Sequence, residues 1–323
     1  MTTISPSALP SPIAVDVLVV GGGAAGLSAA TVLARSRRDV VVLDTGEPRN
    51  APADGVHAFL GHDGVPPADL LARGRAELES YGGRVERAEA VDAEHEGGTV
   101  LVRSADGRCW RARHLVVASG AVDRLPEVPG LARHWGREVV HCPYCHGWEV
   151  RDRRVVVLAT GAAAAHQAGL FGQLTDRLTV LAHTPDALDG SARDRLTRLG
   201  VEVVDGPATG VVECDGVLVG LETPGGVVPA DAVAVASVVE ARSAVLDALG
   251  VPLADLEVFG SVAARHVAAD PVGRTTVPRV WALGNVAEPM AQVVMVAAAG
   301  TRTGALLNAE LVAEHQERRL AAG

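Results

Sequence analysis

The stretch Asp16-Val-Leu-Val-Val-Gly-Gly-Gly-Ala-Ala-Gly26 decides the fold. Its apolar run ends in three glycines, a helical pattern continues through Arg35, and a second apolar run, Val40-Val-Val-Leu43, ends in Asp44. Strand, glycine turn, helix and strand make a βαβ unit. In the pattern Gly21-X-Gly23-X-X-Gly26, the first glycine permits the tight turn and the second lets a pyrophosphate reach the backbone. The third lets helix pack on strand. The helix that starts there turns unpaired N–H groups and a partial positive charge toward the phosphates. Asp44, at the tip of the second strand, is placed for ribose hydroxyls. Together these features predict dinucleotide binding.

Working outward, the pattern predicts an amphipathic helix over 69–78 and strands over 84–91, 99–103 and 114–118. A second βαβ unit follows: strand 154–158, the turn Ala159-Thr-Gly161, helix 162–174 and strand 178–181. An Ala/Gly-rich helix over 293–317 comes after Val280-Trp-Ala-Leu-Gly-Asn285, and its position predicts that the C-terminal part returns to complete the first domain. At 323 residues the chain is long enough for two domains with separate cores. The expected fold class is α/β, with two nucleotide-binding, Rossmann-like domains.

Composition removes several function classes. The net charge is −10, from 39 acidic against 29 basic residues, and no basic cluster could follow a phosphate backbone, so nucleic acid is not an expected partner. Every basic residue is Arg, which excludes a P-loop, Schiff-base or general-base lysine. No uncharged apolar run reaches the roughly 18 to 20 residues of a membrane span. Residues 1–15 carry Ser and Pro without a signal-peptide block, and read as a short disordered lead into a cytoplasmic protein.

Four cysteines, two of them isolated at Cys109 and Cys214, do not make a disulfide framework. The remaining pair, in His141-Cys-Pro-Tyr-Cys-His146, has three readings. A zinc half-site needs two more ligands, for which His141 and His146 are the nearby candidates. Cys-X-X-Cys-His also matches the c-type haem attachment signal, but that reading asks for export and leaves the dinucleotide motifs idle. A redox dithiol beside an electron carrier uses both features and expects no metal.

From Asp16 to Glu310 the chain resembles the low-molecular-weight thioredoxin reductase family. Gly21-Gly-Gly-Ala-Ala-Gly26 resembles its FAD fingerprint, and Ala118-Ser-Gly-Ala-Val-Asp-Arg-Leu-Pro-Glu-Val-Pro-Gly130 its crossover between domains. Trp281-Ala-Leu-Gly-Asn285, with Ala291-Gln-Val293 and Ala297-Ala-Ala-Gly300, resembles its late flavin signature. The resemblance implies an FAD-binding domain of residues 1–122 and 241–323, a homodimer, and an inserted domain of residues 123–240 that carries the cysteines and usually binds NADPH. The FAD contacts it implies are Gly21, Gly23, Ala25, Gly26, Asp44, Arg49, Asn50, Gly120, Gly284, Asn285, Gln292 and Val293, with Val91 at the adenine pocket.

Three departures stand against that pattern. Asn285 replaces an Asp, which keeps hydrogen bonding to flavin hydroxyls or phosphate but removes charge. In the inserted domain Ala159 replaces the first glycine of the phosphate turn, and Ala182-His-Thr-Pro-Asp186 stands where reductases place the arginines that clamp the 2′-phosphate of NADPH. Charge-assisted hydrogen bonds contribute about 1.5 to 3 kcal/mol each, so losing two weakens NADPH by about two orders of magnitude and puts that cofactor in doubt. Arg193 or Arg195 is the alternative phosphate partner. Last, His146 follows the second cysteine where reductases have an acid. An imidazole of ordinary pKa, about 6.5, accepts a thiol proton near neutrality better than a carboxylate does. A His that only hydrogen-bonds the flavin edge is the other reading.

These departures resemble one branch of the family, the flavin-dependent dithiol oxidases that close disulfides in natural products such as gliotoxin and holomycin. That resemblance implies a small-molecule dithiol substrate that attacks Cys142, a Cys145 nearest the flavin, His146 as proton acceptor, and O2 as electron acceptor yielding hydrogen peroxide. The competing expectations are a thioredoxin reductase supplied by NADPH or another donor, and a flavoprotein redox sensor.

Overall fold

The computed structural model describes residues 11–242 and 244–322, so most of the expected N-terminal lead lies outside the described residues. The strand Ile13–Val20 is central to a seven-stranded sheet. It pairs in parallel with Val40–Asp44 on one side and with Cys109–Val117 on the other. Val17, Leu18, Val19 and Val40 through Val42 are fully buried, as unbroken β-branched runs are when a parallel sheet is covered on both faces.

The far edge of Cys109–Val117 is shared. Its first half takes the antiparallel strand Thr99–Ser104, and its second half takes the late strand Val280–Ala282 in parallel. The return of the chain to the first sheet is therefore a matter of three residues of strand followed by one long helix, Val293–Ala321. That helix packs on the fingerprint helix Ala24–Arg35 through two glycines. A Cβ on Gly300 would sit 2.2 Å from the Ala25 carbonyl oxygen, and one on Gly304 would sit 2.7 Å from that of Ala29. Buried His114 and Glu314 tie its far end to the sheet, with Arg113 and Arg279 both on the Glu314 carboxylate.

The second sheet is wholly parallel, in the spatial order Glu202–Asp205, Leu178–Ala182, Val155–Ala159, Ala232–Val235, Val139–Val140. Its crossover helix, Ala163–Phe171, ends just before Gly172 and so is shorter than its periodicity predicts. The two sheets are joined by Ala121–Arg124 and Val238–Ala241, which pair antiparallel with each other. A hairpin, Leu253–Val258 with Ser261–Val267, extends this pair and had no counterpart in the sequence reading. Strand Val139–Val140 runs directly into His141 and Cys142, so the cysteines emerge at the carboxyl end of the second sheet, where α/β folds place ligands. No helix among the described residues is long and apolar enough to cross a membrane.

Candidate active site

One continuous cavity of about 1390 Å³ lies between the two sheets. Single-ligand pockets run to roughly 1,000 Å³, so this one has room for a dinucleotide and a second molecule. The fingerprint turn forms one wall. Gly21 has φ +108°, and a Cβ there would meet the Ala118 carbonyl oxygen at 2.2 Å. A Cβ on Gly26 would meet the Gly21 oxygen at 2.0 Å, so this glycine serves packing and does not line the cavity. Around Gly23 a Cβ would meet nothing within 4 Å. That open space, in front of a helix with no side-chain cap and no acid in its first turn, is a cradle for a pyrophosphate. Asp44 accepts the Gly22 N–H at 3.1 Å through Oδ1 and lines the same wall.

The opposite end is closed by the late signature. Gln292 is the N-cap residue of Val293–Ala321, and this second helix start also lacks a side-chain cap and first-turn acids. Asn285 explains its own departure from Asp: its Nδ2 donates to the carbonyls of Glu288 and Ala291, each at 3.0 Å. A carboxylate there would face those oxygens without a proton to share. These residues fit an FAD: a phosphate cradle, an acid at the ribose position and two uncapped helix starts on one cavity.

The cysteine turn forms the third wall. Cys142 is the N-cap residue of the short helix Pro143–His146, without a side-chain cap hydrogen bond, and the nearby backbone N–H groups of Tyr144 and Cys145 favour its thiolate. Both cysteines are free thiols. The Cys142 thiol is pulled down to about 7 by the hydrogen bond from Cys145, helped by those N–H groups and by the Gln292 side chain, against the opposing effect of burial. Cys145, as the donor in that hydrogen bond and partly buried beside a thiolate, is pushed far above the ordinary thiol range. The single negative charge of the reduced pair therefore resides on Cys142.

His146 lines the cavity, and both of its ring nitrogens are buried without a hydrogen-bond partner. Burial pushes its pKa down, outweighing Glu149, so the imidazole is neutral at neutral pH. It makes no hydrogen bond to either thiol in this arrangement. His141 is likewise pushed down by burial, against the charge of Asp123.

Of the sequence-assigned cofactor positions, Gly21, Gly23, Ala25, Asp44, Arg49, Asn50, Gly120, Gly284, Asn285, Gln292 and Val293 all line the cavity. Val91 does not: the wall stops at Ala90, the ladder slips register between Ala90 and Asp92, and Val91 is 41% exposed. Arg49 is committed differently from expectation. It grips Asp123 at 2.6 and 2.7 Å and reaches the Pro289 carbonyl at 3.2 Å, while Ser237 donates to the same carboxylate at 2.7 Å. Burial would raise the Asp123 carboxyl, but Arg49 outweighs it and holds it below the ordinary range. Asp123 stands inside the crossover segment 118–130 and Ser237 outside any motif, and only the fold reveals that both meet at Arg49. In the second unit Arg193 is engaged by Asp205 at 2.6 and 3.2 Å, beside the 182–186 segment.

Among the described residues no group of three or more His, Cys, Asp and Glu is arranged to hold a metal. A family model described as pyridine nucleotide-disulphide oxidoreductase matches residues 15–304. The chain is 34% identical over 185 residues to "Thioredoxin reductase tcpT" of Claviceps purpurea, covering 54% of this chain and 58% of that protein. It is 38% identical over 144 residues to "Thioredoxin reductase sirT" of Leptosphaeria maculans, covering 43% and 44%. The chain thus spans about half the length of these curated relatives. Among solved structures, that of HlmI superposes with a TM-score of 0.88 at 39% identity, over 96% of each chain. An oxidoreductase from Agrobacterium tumefaciens gives 0.85 at 28% identity, over 93% of this chain and 99% of that one.

Proposed function

This chain belongs to the pyridine nucleotide-disulphide oxidoreductase family, and from that premise we propose that it is an FAD-dependent dithiol oxidase that closes a disulfide in a small dithiol substrate. The observation that carries the reading is the neutral, partnerless His146 beside a cysteine pair whose charge rests on one sulfur. On this reading residues 1–122 with 241–323 hold FAD and residues 123–240 present the cysteines.

Closing a disulfide removes two electrons and two protons from the substrate. A substrate thiolate attacks the oxidised pair at Cys142, the sulfur that family resemblance turns toward the substrate, and the second substrate thiol resolves the mixed disulfide. Cys142 and Cys145 are left reduced. One proton stays between the two sulfurs, on Cys145, where the geometry of the reduced pair favours it. The other passes to His146, whose neutral ring offers a lone pair. FAD, when bound, supplies the acceptor for the electron pair, and dioxygen, reduced to hydrogen peroxide, completes the cycle. Arg49, bound to Asp123 and the Pro289 carbonyl, ties the connection between the two sheets to the late flavin segment.

The inserted domain acts here as a carrier of the cysteines and not as an NADPH site. Asp186 and Asp205 stand where a 2′-phosphate needs cations, and Arg193 is already neutralised by Asp205. The reading includes a cytoplasmic homodimer. With FAD-loaded protein and 1,4-butanedithiol in air, oxygen uptake should continue for many turnovers with one hydrogen peroxide per disulfide. A single stoichiometric reduction followed by arrest would instead describe a redox sensor.

A further inference from the structure

A buried amide on the inserted domain has one end without a partner. Gln167 lies on the helix Ala163–Phe171 and is 8% exposed. Its Nε2 donates to the His141 carbonyl at 3.0 Å, which settles which way the amide faces. Its Oε1 is buried and meets no donor at all. A buried carbonyl left unpaired costs about 1 to 3 kcal/mol, so such an atom calls for a partner that arrives with a ligand. Gln167 lines the cavity together with Ala163, His166 and Leu170 of the same helix and with Cys142 and Cys145. None of these helix positions belongs to the dinucleotide cradle around Gly23, and the cavity exceeds what one ligand fills.

We infer that Gln167 Oε1 is the acceptor that orients the dithiol substrate, and that the substrate carries an N–H donor, as an amide does, next to its thiols. The inference rests on the oxidase reading and deepens it by naming a specificity residue. The tether to His141 places this acceptor one residue from Cys142, so a substrate held by its N–H presents its sulfur where the mixed disulfide forms. The surrounding wall offers the substrate mainly apolar contact, from Ala163, Leu170 and the hairpin residues Val258, Phe259 and Val262. Phe259 meets the His166 ring at 5.3 Å between centroids and closes that side. A hydrogen bond made beside such apolar contacts discriminates against a dithiol that lacks the donor.

The test compares two dithiols on the FAD-loaded protein in air: N-acetyl-cysteinyl-cysteine amide, which has N–H donors, and 1,4-butanedithiol, which has none. The wild type should favour the amide dithiol in kcat/KM. Gln167→Leu should lower that preference at least about tenfold, the size expected when a buried hydrogen bond is lost. Loss of the His141 tether alone would slow both dithiols alike and leave their ratio where it was. Gln167→Met, close in shape, gives the same readout if the Leu variant does not fold. An unchanged ratio in a variant that still oxidises both dithiols overturns the inference and leaves the oxidase standing. Failure of the wild type to oxidise either dithiol with oxygen overturns the oxidase reading and this inference with it.

Discussion

Cys142→Ser and Cys145→Ser should each lower dithiol turnover by at least about 10³-fold while FAD stays bound, the scale seen when an enzymatic nucleophile is removed. Neither serine can form the disulfide that accepts the substrate's electrons. The two variants should nonetheless differ in a way that reports the charge distribution. In Cys145→Ser the remaining Cys142 keeps the backbone N–H groups of residues 144 and 145, the Gln292 side chain and a hydroxyl donor in place of the thiol. In Cys142→Ser the remaining Cys145 keeps its burial and loses its anionic neighbour. At about pH 7 a thiol titrating near 7 is half ionised, whereas one near 8.5 is only a few per cent thiolate. Iodoacetamide should therefore alkylate Cys142 in the first variant about tenfold faster than Cys145 in the second. Equal rates would remove the argument that Cys142 holds the charge, and full turnover in either variant would remove the dithiol from the mechanism.

His146→Ala should cost about 100-fold in kcat/KM near pH 6, the usual contribution of a positioned base, and progressively less toward pH 9. The sign follows from the direction of the shift. Burial holds the folded-state pKa of His146 below that of a free imidazole, so the proton-accepting form persists into mildly acidic solution and disappears only as the pH falls through that lowered value. Substrate thiols, with ordinary pKa values of about 8.5, are mostly protonated there and need the base. Above pH 8.5 they ionise unaided, and the variant should approach the wild type. A pH-independent loss would assign His146 to packing, in keeping with its buried and partnerless ring nitrogens.

Local patterns carried the parts of this molecule that are local. The fingerprint Gly21 to Gly26 was legible because Gly21 and Gly26 answer short-range steric demands and Gly23 leaves the helix start open, all within one turn. The second βαβ unit and the Cys142–Cys145 turn were legible for the same reason. What the chain concealed is set by contacts distant in sequence. Gln292 reaches Cys142 from the far end of the chain, and Arg49 on the cavity wall pairs with Asp123 across the sequence. Val91 falls outside the cavity wall at a one-residue slip in its ladder, and no composition signal marks such a slip. Gln167 resembles any polar residue on a helix until its neighbour, the His141 carbonyl, is known. The hairpin whose turn holds Phe259 carries no motif, and only its position against His166 gives it a part in the site.

The second sheet has a structural reason to persist that does not depend on a nucleotide. The parallel strands Val155–Ala159 and Leu178–Ala182 still position the cysteine turn through Val139–Val140, so the sheet is kept by packing whether or not a nucleotide binds. At the carboxyl end of this sheet Ala159 stands where the resemblance expects a glycine, and Arg193 pairs with Asp205.

The direction of electron flow is the central claim, and the flavin spectrum of the FAD-loaded protein under anaerobic conditions tests it most directly. Dithiothreitol should bleach the long-wavelength flavin band, admission of air should restore it with release of hydrogen peroxide, and NADPH at millimolar concentration should leave it unchanged. Rapid bleaching by NADPH, with dithiothreitol ineffective, would contradict the account and make the protein a reductase.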